Sequence, residues 1–374
     1  MPETATAVAE RLRASVAGAA DANDANRALT DALVRQLKAA GAFRLLIPGR
    51  YGGLEAPFPD FLKALQVYAE ADASTAWCIS QGAVIGTTSV WLAEAQIRAI
   101  WSDPDACIAN GPPGPCEAER RGDSWILNGR WGFSSGCRHA TWMTGALKVR
   151  GSNRWVCAFV PKRRFASTTL GMCKGCAAPA AWSFPSKTSK WRMPGWPTWA
   201  TGPTTTASSI GCPPAWRLPP AFAAVALGVA RAALDAVFDL ASEKVQKMGA
   251  GLVKDDPDAQ KMLGEAEIRW RAGRAFLHDT VSGVLAELKH QESITDDQRI
   301  ALRMAGTHVI REAAAALNLA YTAAGSTGIY RHHPLHRRFQ DMNVITQHIQ
   351  ARMSYYGFVG RHLLGHPFVP GPMN

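Results

Sequence analysis

The chain has 374 residues, of which 47% are hydrophobic and 19% charged, and its formal net charge is +11. This length and composition are typical of a soluble globular protein with a large core, and they exclude an intrinsically disordered chain. The positive charge is weak evidence for a nucleic-acid partner. Six of the positive charges lie in one acid-free stretch, residues 163–216, which leaves 11 − 6 = +5 for the rest of the chain.

The beginning of the sequence lacks the basic and then apolar layout of a signal peptide. The cysteines outside residues 163–216 do not have the spacing of a disulfide framework. The apolar stretch 221–241 contains Arg231, Asp235 and Asp239, which favours a buried helix over a membrane span. We therefore expect a cytoplasmic protein with reduced thiols, no membrane contact and no nucleic-acid partner.

The predicted elements fall into three blocks along the chain. Apolar residues at helical spacing predict four helices in the first block: 7–19, 26–40, 58–71 and 74–95. In the second block, alternating runs predict strands at 141–149 and 154–160, and a hairpin from Ser124 to Phe133 with its turn at Asn128-Gly129. Helical spacing returns in the third block, in four segments: 219–248, 257–289, 296–323 and 336–364.

These blocks predict an α+β fold with three domains. An N-terminal helical domain (1–105) precedes a middle β domain (106–217). The C-terminal domain (218–374) is predicted to be a four-helix bundle. The sequence contains no evident internal repeat.

One stretch of the middle domain differs from the rest of the chain. No Asp or Glu occurs between Asp123 and Asp235, and residues 163–216 hold five of the 13 Trp, three of the eight Cys and seven Pro, with little apolar periodicity. Joining the third base of each codon to the first two of the next makes residues 168–181 compatible with Asp-Thr-Trp-Asp-Val-Gln-Gly-Leu-Arg-Gly-Thr-Gly-Ser. We interpret residues 163–216 as translated out of frame, and a genuine Trp- and Pro-rich insertion is the alternative.

Several motifs, taken in their order and spacing, resemble the acyl-CoA dehydrogenase family. They are Gly41-Ala-Phe-Arg-Leu-Leu-Ile-Pro with Tyr51-Gly-Gly, Ala69 to Trp77, Asn128 to Cys137, Tyr321 to Tyr330, Pro334 to Asp341 and Thr346-Gln-His-Ile349. The string recovered by the frame shift resembles the family's flavin-side loop. More narrowly, the chain is similar to the oxygenase components of two-component flavin monooxygenases, whose members hydroxylate phenols such as 4-hydroxyphenylacetate and secosteroid phenols. The resemblance implies an acyl-CoA dehydrogenase-like fold.

The resemblance also implies a flavin site at the end of the predicted hairpin. Trp131, Phe133, Ser134 and Ser135 match the strand whose side chains and backbone face the flavin in this family. A hydroxyl near flavin N5 or O4 can stabilise the oxygenating form of the cofactor, and Ser135 is the candidate for it, with Ser134 second. Without the resemblance, Ser-Ser-Gly would be interpreted as a simple bend.

His348 matches the catalytic histidine of the family. A phenol is a poor nucleophile at neutral pH, and an imidazole with a pKa near 6.5 can take its proton during the attack on oxygen. His348 is therefore predicted to be the acid/base. Gln347 and Gln81 are expected to line the substrate pocket, where Gln81 stands in for a polar residue or histidine of some relatives.

Reduced flavin, either FMN or FAD, is the cofactor that the resemblance implies. Gly325, Ser326 and Gly328 match the family's glycine turn near the cofactor tail, and an ordinary loop is the alternative. No Gly-x-Gly-x-x-Gly follows a strand, so a separate NAD(P)H-flavin reductase is expected to supply the reduced flavin. No metal site is predicted, because Pro334 interrupts the histidines of segment 331–338. Family members are homotetramers, and the same assembly is expected here.

The predicted function is that of a flavin-dependent monooxygenase, which hydroxylates a small aromatic or phenolic substrate with O2 and reduced flavin. Two alternatives stay open: an acyl-CoA dehydrogenase or oxidase, and an inactive protein of the same fold. Acyl-CoA dehydrogenases often place a glutamate base at about 344–350, where this chain has no carboxylate. If residues 163–216 are expressed as written, the flavin-side loop is absent and weak flavin binding is expected.

Overall fold

The computed structural model describes residues 3–122, 124–162, 166–169, 180–183, 190–192, 215–245, 251–291 and 293–368. The first part of the chain forms five helices: α1 (Ala5–Asn26), α2 (Asp31–Ala39), α3 (Phe58–Ala71), α4 (Ala73–Gly86) and α5 (Glu94–Trp101). Asp72 separates α3 from α4 and caps α4, because its carboxylate accepts the backbone N–H of Thr75 at 2.9 Å. This cap fixes the start of the helix that supports the candidate site described below.

Helix α4 is shorter than the helix 74–95 that its sequence predicts. It ends at Gly86 and continues as a 3₁₀ turn, Thr87–Trp91. In that turn the hydroxyls of Thr87, Thr88 and Ser89 each donate to a backbone carbonyl three residues earlier, at 2.6–2.7 Å. Such side-chain bonds compete with the helical pattern, which explains why the helix tightens here.

The middle of the chain forms a sheet, whose described strands are β1 (Ile108–Asn110), β2 (Pro113–Arg121), β3 (Ser124–Trp131), β4 (Trp142–Val149), β5 (Trp155–Pro161), β6 (Ala166–Thr169), β7 (Ala180–Ser183) and β8 (Lys190–Arg192). The strand order is β1-β4-β2-β3-β7-β6, with β5 paired to β4 and β8 paired to β3. Strands β1 and β2 run parallel to β4, and the other described pairs are antiparallel. The parallel pairing of β1 with β4 places Asn110, the last residue of β1, opposite Thr144.

The predicted hairpin turn at Asn128-Gly129 is wrong. Both residues lie inside β3 and pair with β2, and the chain turns instead at Gly122, whose φ is +60°. That conformation favours glycine. Gly129 has a different reason to be glycine, because a Cβ atom there would lie 2.4 Å from the ring of Trp131.

The last part of the chain is a helical bundle made of α6 (Leu218–Glu243), α7 (Pro257–Leu288), α8 (Asp296–Ala324), α9 (Pro334–Gln347) and α10 (Ser354–Leu363). Helix α6 approaches its neighbours closely: a Cβ on Gly228 would lie 2.4 Å from the carbonyl oxygen of Gln66 in α3. Among the described helices, α6 has the length and hydropathy of a membrane span, but 72% of its most apolar window is buried within the protein. It is therefore the core helix of the bundle.

The predicted helix 336–364 is not continuous. Helix α9 ends at Gln347, and His348 has extended backbone angles of φ −69° and ψ 150°. A 3₁₀ turn, Ile349–Ala351, then leads towards α10. The break places His348 at a cap between two elements instead of on the side of a helix.

The predicted fold class is confirmed: helices precede a sheet, and a helical bundle follows it. The domain boundaries at 105/106 and 217/218 stay predictions. The interpretation of residues 163–216 as out of frame falls mostly outside the described residues. Within that stretch the structure describes β6, β7, β8 and residues 215–216.

Candidate functional site

The ring of His348 packs against two aromatic side chains, which also contact each other with their centroids 4.4 Å apart. Its centroid is 5.1 Å from the ring of Trp77, which stands perpendicular to it, and 4.4 Å from the ring of Phe222. Trp77 belongs to α4 and Phe222 to α6, so the histidine lies where the N-terminal helices meet the bundle. These neighbours provide an apolar, aromatic surrounding for one polar group.

Burial lowers the pKa of His348 to about 4, and the nearby cations of Arg303 and Arg352 act in the same direction. The ring is therefore neutral at pH 7, instead of titrating near 6.5 as the sequence suggested. The backbone N–H of Gln350 donates to its Nδ1 over 3.4 Å, a long hydrogen bond. Because Nδ1 is the acceptor, the single proton of the neutral ring is on Nε2.

A tight turn follows β3 and carries the serines that the sequence singled out. Phe133 has a left-handed φ of +47° and is 68% exposed, whereas Ser134 and Ser135 are buried. The hydroxyl of Ser134 donates to the carbonyl of Gly132 at 3.3 Å. The hydroxyl of Ser135 makes no hydrogen bond with any residue that the structure describes. Ser135 is thus the more available of the two hydroxyls.

Trp131 occupies the core of the sheet. It is completely buried, and its Nε1–H donates to the carbonyl of Ala146 at 3.2 Å. Its ring also covers Gly129 of the same strand. Only the backbone of Trp131 is left for a cofactor contact, which is less than the sequence suggested for this residue.

Eleven buried side-chain polar atoms have no hydrogen-bond partner among the described residues, and three of them belong to α4, β1 and the segment after the serine turn. They are Oδ1 of Asn110 at the end of β1, Oε1 of Gln81 in α4, and Nε2 of His139. Because buried polar groups are nearly always paired, these three atoms are candidate partners for a polar ligand. Gln81 was a sequence candidate, whereas no motif singled out Asn110 or His139.

Close packing connects these groups to one another. A Cβ on Gly111 would lie 2.2 Å from Oγ of Ser134, and a Cβ on Gly136 would lie 3.1 Å from Nε2 of His139. A Cβ on Gly82 would lie 3.3 Å from the carbonyl oxygen of Ile108, which joins α4 to β1. The end of β1, the serine turn and α4 therefore form one continuous region.

Helix α4 links this region to His348. Trp77 contacts His348, and Gln81 lies four residues further along α4, which is about 6 Å of helix rise. Gly82 then packs against β1. The structure thus places the candidate base and the candidate flavin turn along the same helix.

Other sequence candidates are not brought to this region. Gln347 is exposed, and its amide donates only to the hydroxyl of Thr346 at 3.5 Å. The turn Gly325–Ile329 follows the end of α8. It begins 18 residues beyond Thr307, which contacts the segment after His348, and 18 residues correspond to about 27 Å along a helix. Gly325, Ser326 and Gly328 therefore lie far from His348 within one chain.

Local packing accounts for the glycines of that turn. Gly325 has φ +59°, and a Cβ on Gly328 would lie 2.9 Å from the ring of Tyr321. The neighbouring histidines have structural partners: Nδ1 of His333 accepts the N–H of Leu335 and caps α9. Within the described ranges, no group of three or more His, Cys, Asp or Glu could hold a metal ion.

Comparisons with known proteins point to one family. Residues 3–100 match the model of the acyl-CoA dehydrogenase N-terminal domain, and residues 221–353 match the model of the C-terminal domain. Indole-3-acetate monooxygenase of Pseudomonas putida is 28% identical over 361 residues, which cover 93% of this chain and 90% of that protein. The oxygenase component of p-hydroxyphenylacetate 3-hydroxylase of Acinetobacter baumannii is 24% identical over an alignment of 399 positions, gaps included. The alignment covers 95% of this chain and 88% of that protein.

Solved structures agree on the fold. XiaF from Streptomyces sp., solved in complex with FADH2 and glycerol, superposes with a TM-score of 0.85 at 17% identity. The superposition covers 98% of this chain and 96% of XiaF. The two family models together span more than half of the chain. Two of the relatives named above are a monooxygenase and the oxygenase component of a hydroxylase. The chain belongs to the acyl-CoA dehydrogenase family.

Proposed function

We propose that this protein is the oxygenase component of a two-component flavin-dependent monooxygenase and that it hydroxylates a small aromatic substrate. The observation that carries the proposal is the neutral His348, packed against both Trp77 and Phe222. Aromatic side chains with one polar group among them are suited to a small aromatic substrate. Residues 344–350 contain no carboxylate that could remove an α-proton from an acyl-CoA.

The residues around the serine turn fit a reduced flavin. Oδ1 of Asn110 and Oε1 of Gln81 are unpaired acceptors for the ring N–H groups of a flavin, and the hydroxyl of Ser135 is a donor for its carbonyl or N5 edge. The exposed ring of Phe133 offers an apolar face beside them. When bound, reduced FMN or FAD supplies the electrons with which O2 is activated. A separate NAD(P)H-flavin reductase would provide the reduced flavin.

His348 acts as a neutral hydrogen-bond donor in this proposal. Its Nε2–H can hold an oxygen atom of the substrate in place and keeps its proton, because loss of the only ring proton would leave an anionic imidazolate. Formation of an imidazolium is unfavourable, because burial and the cations of Arg303 and Arg352 lower the pKa to about 4. The role of a neutral hydrogen-bond donor therefore fits the low pKa of His348 better than the storage of a phenol proton.

Assembly would explain the remote glycine turn. At about 27 Å from the level of Thr307, Gly325 and its neighbours lie far from His348 of their own chain. In the homotetramer that we propose, this turn of one copy would contact the cofactor tail of another copy. We also propose a cytoplasmic location, in keeping with reduced free thiols at the described cysteines.

The test is a coupled reaction with a purified NADH-flavin reductase, FMN or FAD, and isotopically labelled O2. Indole-3-acetate and 4-hydroxyphenylacetate are the first substrates to supply. We expect one labelled oxygen atom in the product, and loss of product in His348→Gln but not in His290→Asn, whose side chain is exposed on the bundle. Reduction of bound flavin by an acyl-CoA without O2 would instead identify a dehydrogenase.

Residues 163–216 favour one second reading, which is an inactive member of the family. The same assay therefore compares the chain as written with a version whose frame is restored across this stretch. Product from the restored version alone would show that the chain as written is the inactive form. Absence of product from both versions, with every substrate and flavin, would refute the proposed function.

A further inference from the structure

One face of α8 holds the segment that carries His348. Arg303 and Thr307, one helical turn apart, both bind Gln350, which lies two residues after His348. A guanidinium nitrogen of Arg303 donates to the side-chain oxygen of Gln350, and the hydroxyl of Thr307 donates to its backbone carbonyl at 3.0 Å. The three residues are 3%, 2% and 0% exposed. Gln350 is thus fixed by both its side chain and its backbone.

Arg311, a further turn along α8, binds on both sides of His348. Its Nε donates to the carbonyl of Ala351 at 2.8 Å, and its Nη2 reaches the carbonyl of Thr346 at 3.4 Å. The carbonyl of Thr346 belongs to the last turn of α9, where no intrahelical partner is available. Residues at four-residue spacing lie on the same face of a helix, so α8 presents a line of donors to this segment.

The fixed residue Gln350 in turn contacts His348. Its backbone N–H donates to Nδ1 of His348, which keeps the ring proton on Nε2. The groups that face the ring are the uncharged rings of Trp77 on α4 and Phe222 on α6, and the cations of Arg303 and Arg352. The orientation and the tautomer of His348 therefore depend on the position of Gln350.

We propose that Arg303, Thr307 and Arg311 are positioning residues that fix the tautomer of His348 with Nε2–H as the donor. This inference rests on the proposed function only for the use that the reaction makes of that proton. The alternative is that the three side chains merely satisfy buried carbonyls and hold the fold. The two readings differ in what happens to the histidine ring when one donor is removed and the protein stays folded.

The experiment uses the full chain with ¹⁵N in its histidine rings, without flavin or substrate. Thr307→Val replaces the hydroxyl by a methyl group of similar size, and Thr322→Val is the matched control. Thr322 is exposed on the same helix, and its hydroxyl bonds only the carbonyl of Asn318. The two ring ¹⁵N shifts of His348, assigned by their loss in His348→Gln, report the tautomer directly.

We expect the ratio of the Nε2–H to the Nδ1–H tautomer to fall about fivefold in Thr307→Val, the change that one net hydrogen bond is worth. The control should leave the ratio unchanged. Arg311→Lys keeps the charge but cannot bridge both carbonyls, and it should give a similar change if Thr307→Val does not fold. Unaltered His348 shifts in whichever of these two variants folds would overturn the proposal.

In turnover, the same variants should release more hydrogen peroxide per product, with an unaltered affinity for reduced flavin. This second readout also separates two possible failures. A tautomer change in a protein that hydroxylates nothing would keep the positioning role and reject the proposed function. Unaltered His348 shifts in an active oxygenase would reject the positioning role and keep the proposed function.

Discussion

Arg338 on α9 caps the carboxyl-terminal end of α3, a helix that is distant in sequence. Its guanidinium donates to the carbonyls of Ala69 at 3.3 Å and Ala71 at 3.1 Å, and also to the carbonyl of Glu70. These carbonyls belong to the last turn of α3 and have no partner within it. The junction between the N-terminal helices and the bundle therefore depends on one buried cation.

Replacing this side chain by Arg338→Met keeps an apolar stem and removes all three bonds. A buried polar group left unpaired costs about 1–3 kcal/mol, and water can reach some of the carbonyls, so the free energy of unfolding should fall by about 3–6 kcal/mol. Burial raises the pKa of Asp341 well above its usual range, and the Arg338 cation opposes the rise. Without that cation the pKa rises further.

The sign of the pH effect follows from this. A carboxyl whose pKa is raised on folding favours the folded state in its protonated form, so stability is lost as the pH rises from the unfolded value towards the folded one. The free energy of unfolding that Arg338→Met loses relative to the unmodified protein should therefore be larger at pH 8 than at pH 5. Arg338→Lys keeps the charge on a single ammonium, which cannot span three carbonyls. Its free energy of unfolding should therefore fall, but by less than that of Arg338→Met.

Urea unfolding at both pH values measures these differences. Arg337→Met is the matched control, because Arg337 lies next to Arg338 on α9 and pairs with the exposed carboxylate of Asp21. A surface pair of this kind contributes about 0–1 kcal/mol. If Arg338→Met costs no more than the control, the three carbonyls do not depend on this residue and the reasoning is refuted.

Three further predictions concern the candidate site. The chain as written should bind reduced flavin weakly in an anaerobic titration, and tight binding would contradict the out-of-frame interpretation. Gly111→Ala places a methyl group 2.2 Å from Oγ of Ser134, so the frame-restored protein should lose flavin affinity, whereas Gly18→Ala, with open space around it, should not. Burial lowers the pKa of His139 to about 3 and that of His348 to about 4, so stability should be lost as the pH falls below 6.5, by about 4 kcal/mol for the pair at pH 5. Urea unfolding from pH 7 to pH 5 should show a smaller loss in the double variant with glutamine at both positions.

Hydrophobic spacing was sufficient to predict most helices, because their buried faces repeat along the sequence. It did not predict the end of α9, since no glycine or proline marks residues 345–350. The break coincides with tertiary bonds from Thr307 and Arg311. The Asn128-Gly129 pair predicted a turn that does not exist. Gly129 is a glycine because the ring of Trp131 leaves no room for a side chain inside the strand.

The candidate site was predictable to the extent that it lies in ordered motifs. His348 and Ser135 match such motifs. Trp77 of α4 contacts His348, and Ser135 follows Ser134 in the turn that packs against Gly111. Asn110 and His139 carry no local signal, because their significance is that their polar atoms are buried without a partner. That property depends on packing between α4, β1 and the serine turn, which distant parts of the chain determine.

The placement of α4 affects how substrate preference can change in this protein. Trp77 and Gly82 lie on the same short helix, so a substitution that shifts the aromatic end also displaces the contact with β1 beside the serine turn. Phe222 contacts the same histidine from α6 and is one contact further from β1, because it meets α4 at the ring of Trp77. Mutant libraries at position 222 should therefore yield altered substrate ranges with intact cofactor use more often than libraries at position 77.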